Sequence, residues 1–333
     1  MPIDPKLARV EKDFTADAPL ITCRFSPDGR FVFAGAQDEK IYRFEVASGT
    51  KTVLTGHESW IAALAVTPDG NTLISASCDD TLRWWDATAE NPPASRVVKA
   101  HDGWVRTVAV SPDGSLVASG GNDRIVRLWQ TADGSPTREL HGHERDVYTL
   151  LFSPDGSSLL SGDLDGKIHQ WSTATGNRER TFDAAPLHVY EGGQQVHYGG
   201  VRALTLSPDG QWLVAAGLSK ATNPLGNVQE PLALRFAWKD TTIAKNHLAE
   251  GLTSHALWGA CFHPDGTLIA CAGGNSGHLL FWNPDQEKPV HTFNLPAQAR
   301  GLDFHPHSQL IATVHHDGHL RLTTLTPPPP EKK

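Results

Sequence analysis

Covalent staples and membrane anchors are what this chain has least of. Its 333 residues include four cysteines and one methionine. Cys23, Cys78, Cys261 and Cys271 show neither C-x-x-C spacing nor a dense framework, so they read as reduced thiols of a cytoplasmic protein. A Cys261–Cys271 bridge across one hairpin is the alternative. No apolar run approaches the roughly 18 residues a membrane span needs. The opening MPIDPKLARVEKDF has two prolines and mixed charge but no hydrophobic stretch, so it does not read as a signal peptide. There is no N-x-S/T sequon. Positive charge is in deficit too: 29 Lys and Arg stand against 37 Asp and Glu, a net charge of −8. That argues against a broad nucleic-acid footprint, which needs clustered Lys and Arg to displace counterions. G-x-S-x-G, H-E-x-x-H and P-loop motifs are missing as well, which removes the commonest signatures of hydrolases and nucleotide enzymes.

Glycine and proline, by contrast, are plentiful, at 30 and 23. They recur in register. Ser-Pro-Asp-Gly or a near copy occurs at 26–29, 67–70, 111–114, 153–156, 207–210, 263–266 and 305–308, with a spacing near 42 residues and two longer intervals. Alternating apolar runs flank each copy, such as IAALAVT before and TLISAS after. A third run ends on an aromatic in six of the seven units, as in TLRWW and KIHQW, and a weaker fourth follows. Pro fixes φ and Gly accepts φ > 0, so each tetrapeptide suits a tight hairpin tip. Four short antiparallel strands repeated at this period predict a β-propeller blade, and such sheets bury their faces by stacking around an axis. The fold class predicted is all-β, a seven-bladed propeller over residues 1–326, with blades starting near 19, 60, 104, 146, 200, 256 and 298. Pro cannot extend a ladder. The prolines after residue 326 therefore leave the last blade one strand short, and residues 8–15 are predicted to supply it and close the ring. Residues 327–333 read as a polyproline II tail, expected to be disordered, with an SH3-type ligand as the alternative.

These residues resemble the WD40-repeat family. Gly56-His57, Gly142-His143 and the variant Ala100-His101 match its Gly-His start, and Trp85-Asp86 its Trp-Asp end; Trp129-Gln130, Trp171-Ser172 and Trp282-Asn283 are looser copies. A histidine lies 11 residues before the turn proline at His57, His101, His143 and His197. The resemblance implies a buried His–Ser–Asp–Trp hydrogen-bond network. By position the sets are His57, Ser75, Asp79, Trp85; His101, Ser119, Asp123, Trp129; and His143, Ser161, Asp165, Trp171. Three copies at repeat spacing mark scaffold rather than a catalytic triad, which needs an exposed nucleophile. Blade 5 keeps His197 and Trp238 without the aspartate; blade 6 has Asn275-Ser276 there; blade 7 has Asp317 but neither His nor Trp. Blades 5 to 7 are expected to be less rigid.

Function is expected at the mouth of the central channel. Six residues before the turn prolines stand Ile21, Ala62, Arg106, Tyr148, Arg202, Trp258 and Arg300; two residues earlier stand Trp60, Trp104 and Asp146, among others. By resemblance, these positions rim a partner-binding surface. Arg, Trp and Tyr on an acidic protein compose an interaction hot spot, and the Arg forks suit acidic groups on a peptide. Two long insertions, 183–196 and 219–231, are predicted to open on the same face. The reading is a monomeric, non-catalytic scaffold for a protein or peptide partner, without membrane contact, cofactor or metal. A propeller hydrolase or lyase, or a binder of a small anion at the three arginines, is the alternative. His305, His307, His315, His316 and His319 are read as solvated turn residues, because the two groups should not converge.

Overall fold

Each blade is organised by its Ser-Pro-Asp-Gly turn. In the computed structural model, which describes residues 2–90, 93–193, 195–221, 229–249 and 251–328, Ser26 Oγ donates to Asp28 Oδ1 at 2.5 Å. Gly29 N–H donates to Ser26 O at 2.8 Å with the glycine at φ +71°, a region an L side chain rarely enters. The same hydrogen bonds recur at Asp113, where two serine hydroxyls and a backbone N–H hold the carboxyl down at about 2. The turns also touch around the ring. A Cβ at Gly70, Gly114 or Gly156 would touch Pro27, Pro68 or Pro112 of the preceding blade, and at Gly29 it would strike the His305 ring.

From these turns the chain builds seven four-stranded antiparallel sheets. Their first strands are Leu20–Phe25, Ile61–Val66, Val105–Val110, Val147–Phe152, Ala203–Leu206, Ala256–Phe262 and Ala299–Phe304. Each packs against the first strand of both neighbours, so the seven close into a ring. The seventh sheet is completed from the other end of the chain: Arg9–Thr15 pairs antiparallel with His319–Thr324. Asp13 bonds His319 at 2.7 Å and Arg321 at 3.2 Å across this seam, and Phe14 stacks on Phe44 of blade 1 with ring centroids 5.1 Å apart.

The apolar cores lie between blades. Ile74, Trp84, Val105, Val117 and Trp129, for example, form one cluster across blades 2 and 3. Stacking of half-covered sheets, not any one sheet, therefore supplies the burial. Among the described residues no helix is long and apolar enough to cross a membrane. All four cysteines are free, and burial pushes the Cys271 thiol up to about 12.

The structure corrects four sequence assignments, two by register and two by burial. In blade 2 Trp85 lies opposite Leu73; in blade 5 the residue opposite the equivalent Leu213 is Phe236, so Trp238 lies just past the strand Glu230–Ala237. In blade 6 Phe281 holds that place opposite Ile269, and Trp282 points the other way, into the cluster shared with blade 5. His305 and His315 are not solvated. His305 is buried edge-on against Phe25 and bonds Gly29 O at 3.1 Å. His315 is fully buried between Thr313 Oγ1 at 2.8 Å and Ala297 O at 2.9 Å. Blade 7 thus takes its imidazole from its own strand.

Candidate binding site at the channel mouth

One irregularity, repeated around the ring, builds the site. The first strand of each of six blades carries a one-residue register shift against the second strand, and the residue left out of the pairing is Ile21, Ala62, Arg106, Tyr148, Trp258 or Arg300. A bulge re-aims one side chain away from the face its neighbours share. These six side chains, with Arg202 just before Ala203–Leu206, all line one cavity of about 440 Å³ at the axis. Trp60 and Trp104 also line it and are 47% and 42% exposed, forming an open shelf beside the cavity.

The charged and aromatic members interleave. The guanidinium of Arg106 lies 4.9 Å from the Trp104 ring and 4.7 Å from the Tyr148 ring. Arg202 lies 4.1 Å from Tyr148 and 5.5 Å from Trp258, and Arg300 lies 4.8 Å from Trp258. The order Trp104, Arg106, Tyr148, Arg202, Trp258, Arg300 is a ladder in which ring faces support the cations. Carboxylates are scarce here. Asp146 stands 3.7 Å from Arg106 outside the cavity lining, whereas Arg202 and Arg300 have no carboxylate partner among the described residues. Burial lowers both arginines from their ordinary value, yet an arginine remains charged at neutral pH. Arg202 Nε is buried with no hydrogen-bond partner. A desolvated donor of this kind is costly unless an acceptor arrives.

The serines of the repeat sets are buried elsewhere. His57 Nδ1 bonds Asp79 at 2.7 Å, its Nε2 bonds Ser75 Oγ at 2.7 Å, and Trp85 Nε1 donates to the same oxygen at 2.8 Å. His101, Asp123, Ser119 and Trp129 repeat this at 2.8 to 2.9 Å. Hydrogen bonds to the ionised form hold Asp79 and Asp123 far below the usual carboxylate range despite their burial. All three serines have no exposed surface, so no substrate reaches them. Blade 4 differs in one residue. His143 Nδ1 bonds Asp163 at 2.7 Å, with Ser161 at 2.6 Å and Trp171 completing the set; Asp165 is not the partner. Asp163 ends the strand Ser158–Asp163 pointing inward, so it reaches the imidazole before the turn carrying Asp165 begins.

Asp165 turns instead toward the first insertion. That segment is not a plain loop: a short 3-10 turn, Ala185–Leu187, leads into a hairpin of His188–Glu191 and Val196–Gly199. Val189 and Tyr198 pack on Leu218, Ala221 and Ala256, the same cluster that Trp258 packs on, which sets the hairpin beside the channel mouth. His197 lies in this hairpin and not inside blade 5. The reason is local: blade 5 has buried Ala215 where Ser75, Ser119 and Ser161 stand in blades 2 to 4, so no hydroxyl awaits an imidazole. His188, unremarked in the sequence, lies 2.8 Å from His197. Of the second insertion, residues 222–228 lie outside the described residues, as do 329–333 of the tail; the paired stem Ser219 to Glu230 rises next to the hairpin.

The family model for the WD domain, G-beta repeat, matches seven times, at 11–44, 49–86, 94–130, 134–172, 186–221, 246–283 and 287–323. This chain belongs to the WD40 family. Individual relatives match only in short stretches. Guanine nucleotide-binding protein subunit beta-5b of Danio rerio is 44% identical over 62 residues, 18% of this chain and 16% of that protein. Nuclear distribution protein PAC1 of Arthroderma benhamiae is 40% identical over 65 residues, 20% of this chain and 14% of that one. U3 small nucleolar RNA-associated protein 12 of Saccharomyces cerevisiae is 34% identical over 73 residues, 21% of this chain and 8% of that protein. The matched stretches are thus small parts of those proteins, one or two WD40 repeats long.

Proposed function

We propose that this WD40 propeller is a non-catalytic interaction scaffold that seats an acidic segment of a protein partner on its channel mouth. WD40 propellers typically serve as protein-interaction scaffolds, and a beta subunit of a guanine nucleotide-binding protein is among the relatives. The observation that carries the proposal is the arginine–aromatic ladder, in which two arginines lack a carboxylate among the described residues. Partner carboxylates or phosphates pair with the guanidinium forks, and apolar side chains cover Trp60, Trp104 and Trp258. A small anion in the same cavity is the second reading, favoured by its concave shape; the exposed Trp shelf beyond it favours a peptide. We take the ring as a monomer acting in the cytoplasm, a reducing setting in which four free thiols persist.

Intrinsic tryptophan fluorescence tests this reading during titration with an acidic peptide, a matched neutral peptide and inorganic phosphate. The expected result is saturable, salt-sensitive binding of the acidic peptide, weakened about tenfold or more by each of Arg106→Gln, Arg202→Gln and Arg300→Gln. Equal binding of the neutral peptide, or unweakened binding by a chain carrying all three substitutions together, would overturn it.

A further inference from the structure

We infer that Asp165, His188 and His197 form a binding site for a divalent transition-metal cation, zinc above all, that clasps the insertion hairpin to blade 4. The three come from two elements. Asp165 sits in the turn between Ser158–Asp163 and Lys167–Ser172, and the histidines sit on the two strands of the hairpin. Within the hairpin Tyr190 lies opposite His197 and His188 opposite Gly199, so both imidazoles share one face as diagonal neighbours. The opposite face, Val189 and Tyr198, is the one packed beside Trp258.

The three ligand atoms converge. Asp165 Oδ1 is 3.5 Å from His188 Nε2 and 3.6 Å from His197 Nδ1, and the two nitrogens are 2.8 Å apart. A triangle of these sides has a centre about 2 Å from all three corners, the distance at which zinc holds imidazole nitrogen and carboxylate oxygen. Two histidines and one carboxylate also leave a fourth position for water or a partner's donor, and imidazole with carboxylate suits zinc over calcium or magnesium. Among the described residues this is the one group of three His, Cys, Asp or Glu side chains gathered closely enough to hold an ion.

Without a cation, the short nitrogen–nitrogen approach is an N–H···N hydrogen bond. Arg145 Nη2 donates to His197 Nε2 at 3.2 Å, so Nε2 is the acceptor and Nδ1 carries the proton toward His188. A cation takes that proton's place. The His197 proton leaves Nδ1 and one is taken up at Nε2, while Arg145 swings off the ring and keeps its contact with the Asp165 carboxylate at 3.3 Å. Arg145 then becomes an outer partner of the ligand carboxylate. The gain is mechanical: a hairpin of two four-residue strands is marginal alone, and the clasp fixes its position beside the channel mouth.

The test uses the full chain, stripped with chelator and dialysed, and zinc alone as the probe. Isothermal titration is expected to show one tight equivalent, and cobalt in its place is expected to give the intense visible bands of a four-coordinate ion. His188→Gln with His197→Gln together, and Asp165→Asn alone, are expected to weaken zinc binding about a hundredfold or more while leaving the metal-free melting temperature unchanged. Hydrogen exchange on the unmutated protein supplies a readout independent of substitution: zinc is expected to slow amides at 185–199 and 163–167 and leave the other blades as they were. No stoichiometric zinc, undiminished binding by the double histidine variant, or protection confined to other blades would overturn the site. None of these results depends on whether an acidic peptide binds at the channel mouth.

Discussion

Two aspartates, two residues apart, show what one side chain decides. In Ser161-Gly-Asp163-Leu-Asp165, the repeat spacing selects Asp165 as the partner of His143, because the matching aspartates in blades 2 and 3 lie four residues past the serine. The hydrogen bond goes to Asp163. Spacing along the chain carries no information about which of two carboxylates faces inward; strand pairing does. Asp163 also accepts Lys167 N–H at 2.8 Å on its other oxygen, so an amide in its place leaves one of the two donors facing an NH2 group. Asp163→Asn is expected to cost about 2–3 kcal/mol in urea denaturation, and Asp165→Asn in metal-free buffer less than about 0.5 kcal/mol. The reverse order would return His143 to the partner implied by the repeat. Most of the remaining network was legible because Ser, His and Trp recur at fixed offsets from a turn that permits little variation. Arg106, Tyr148, Arg202, Trp258 and Arg300 were legible as positions, whereas their interleaved stacking needed the bulges, which leave no mark in sequence.

Strands and hairpins set the next scale. The closing strand was readable from a deficit, since prolines follow the last blade's third strand and a ladder needs N–H donors. Removing residues 2–15 leaves His319–Thr324 as a bare edge and uncovers Phe44, Leu320 and Leu322. The truncated chain is expected to lose several kcal/mol and to aggregate on concentration, read by chemical denaturation and light scattering. An unchanged midpoint would mean the seam contributes nothing. The insertion at 183–196 was legible as extra length but not as a hairpin, because HVYE and VHYG are too short and mixed to signal strands. Trp238 and Trp282 misled for a related reason: a tryptophan near a strand end matches a motif, but Trp282 is one register step past Phe281 and takes the other face, while Trp238 lies two residues past Phe236, beyond the strand.

Across the whole molecule, buried histidines make stability depend on acid. Burial lowers His169, His247 and His315, in blades 4, 5 and 7, to about 4. In the unfolded chain they take up protons near pH 6.5. The unfolded state therefore binds more protons between about pH 6.5 and 4, so stability is complete above that window and falls as the pH drops through it. Each imidazole contributes on the order of 2–3 kcal/mol to that loss. Below it, the depressed Asp79 and Asp123 add a second loss as they are forced to protonate. Melting temperature against pH is expected to slope upward from 4 to 6.5 and flatten above, and His315→Gln is expected to shallow the slope. A flat profile across the window would mean these rings are charged in the fold.

The seven repeats leave one end of the axis uniform and the other irregular, and binding is assigned to the irregular end. Hydrogen–deuterium exchange of the intact chain, with and without saturating acidic peptide, tests that assignment most directly. Slower exchange is expected at 104–107, 147–149, 202–204, 258–260 and 300–302, with the Ser-Pro-Asp-Gly turns unaffected. Protection at those turns, with the arginine-bearing strands unchanged, would contradict it.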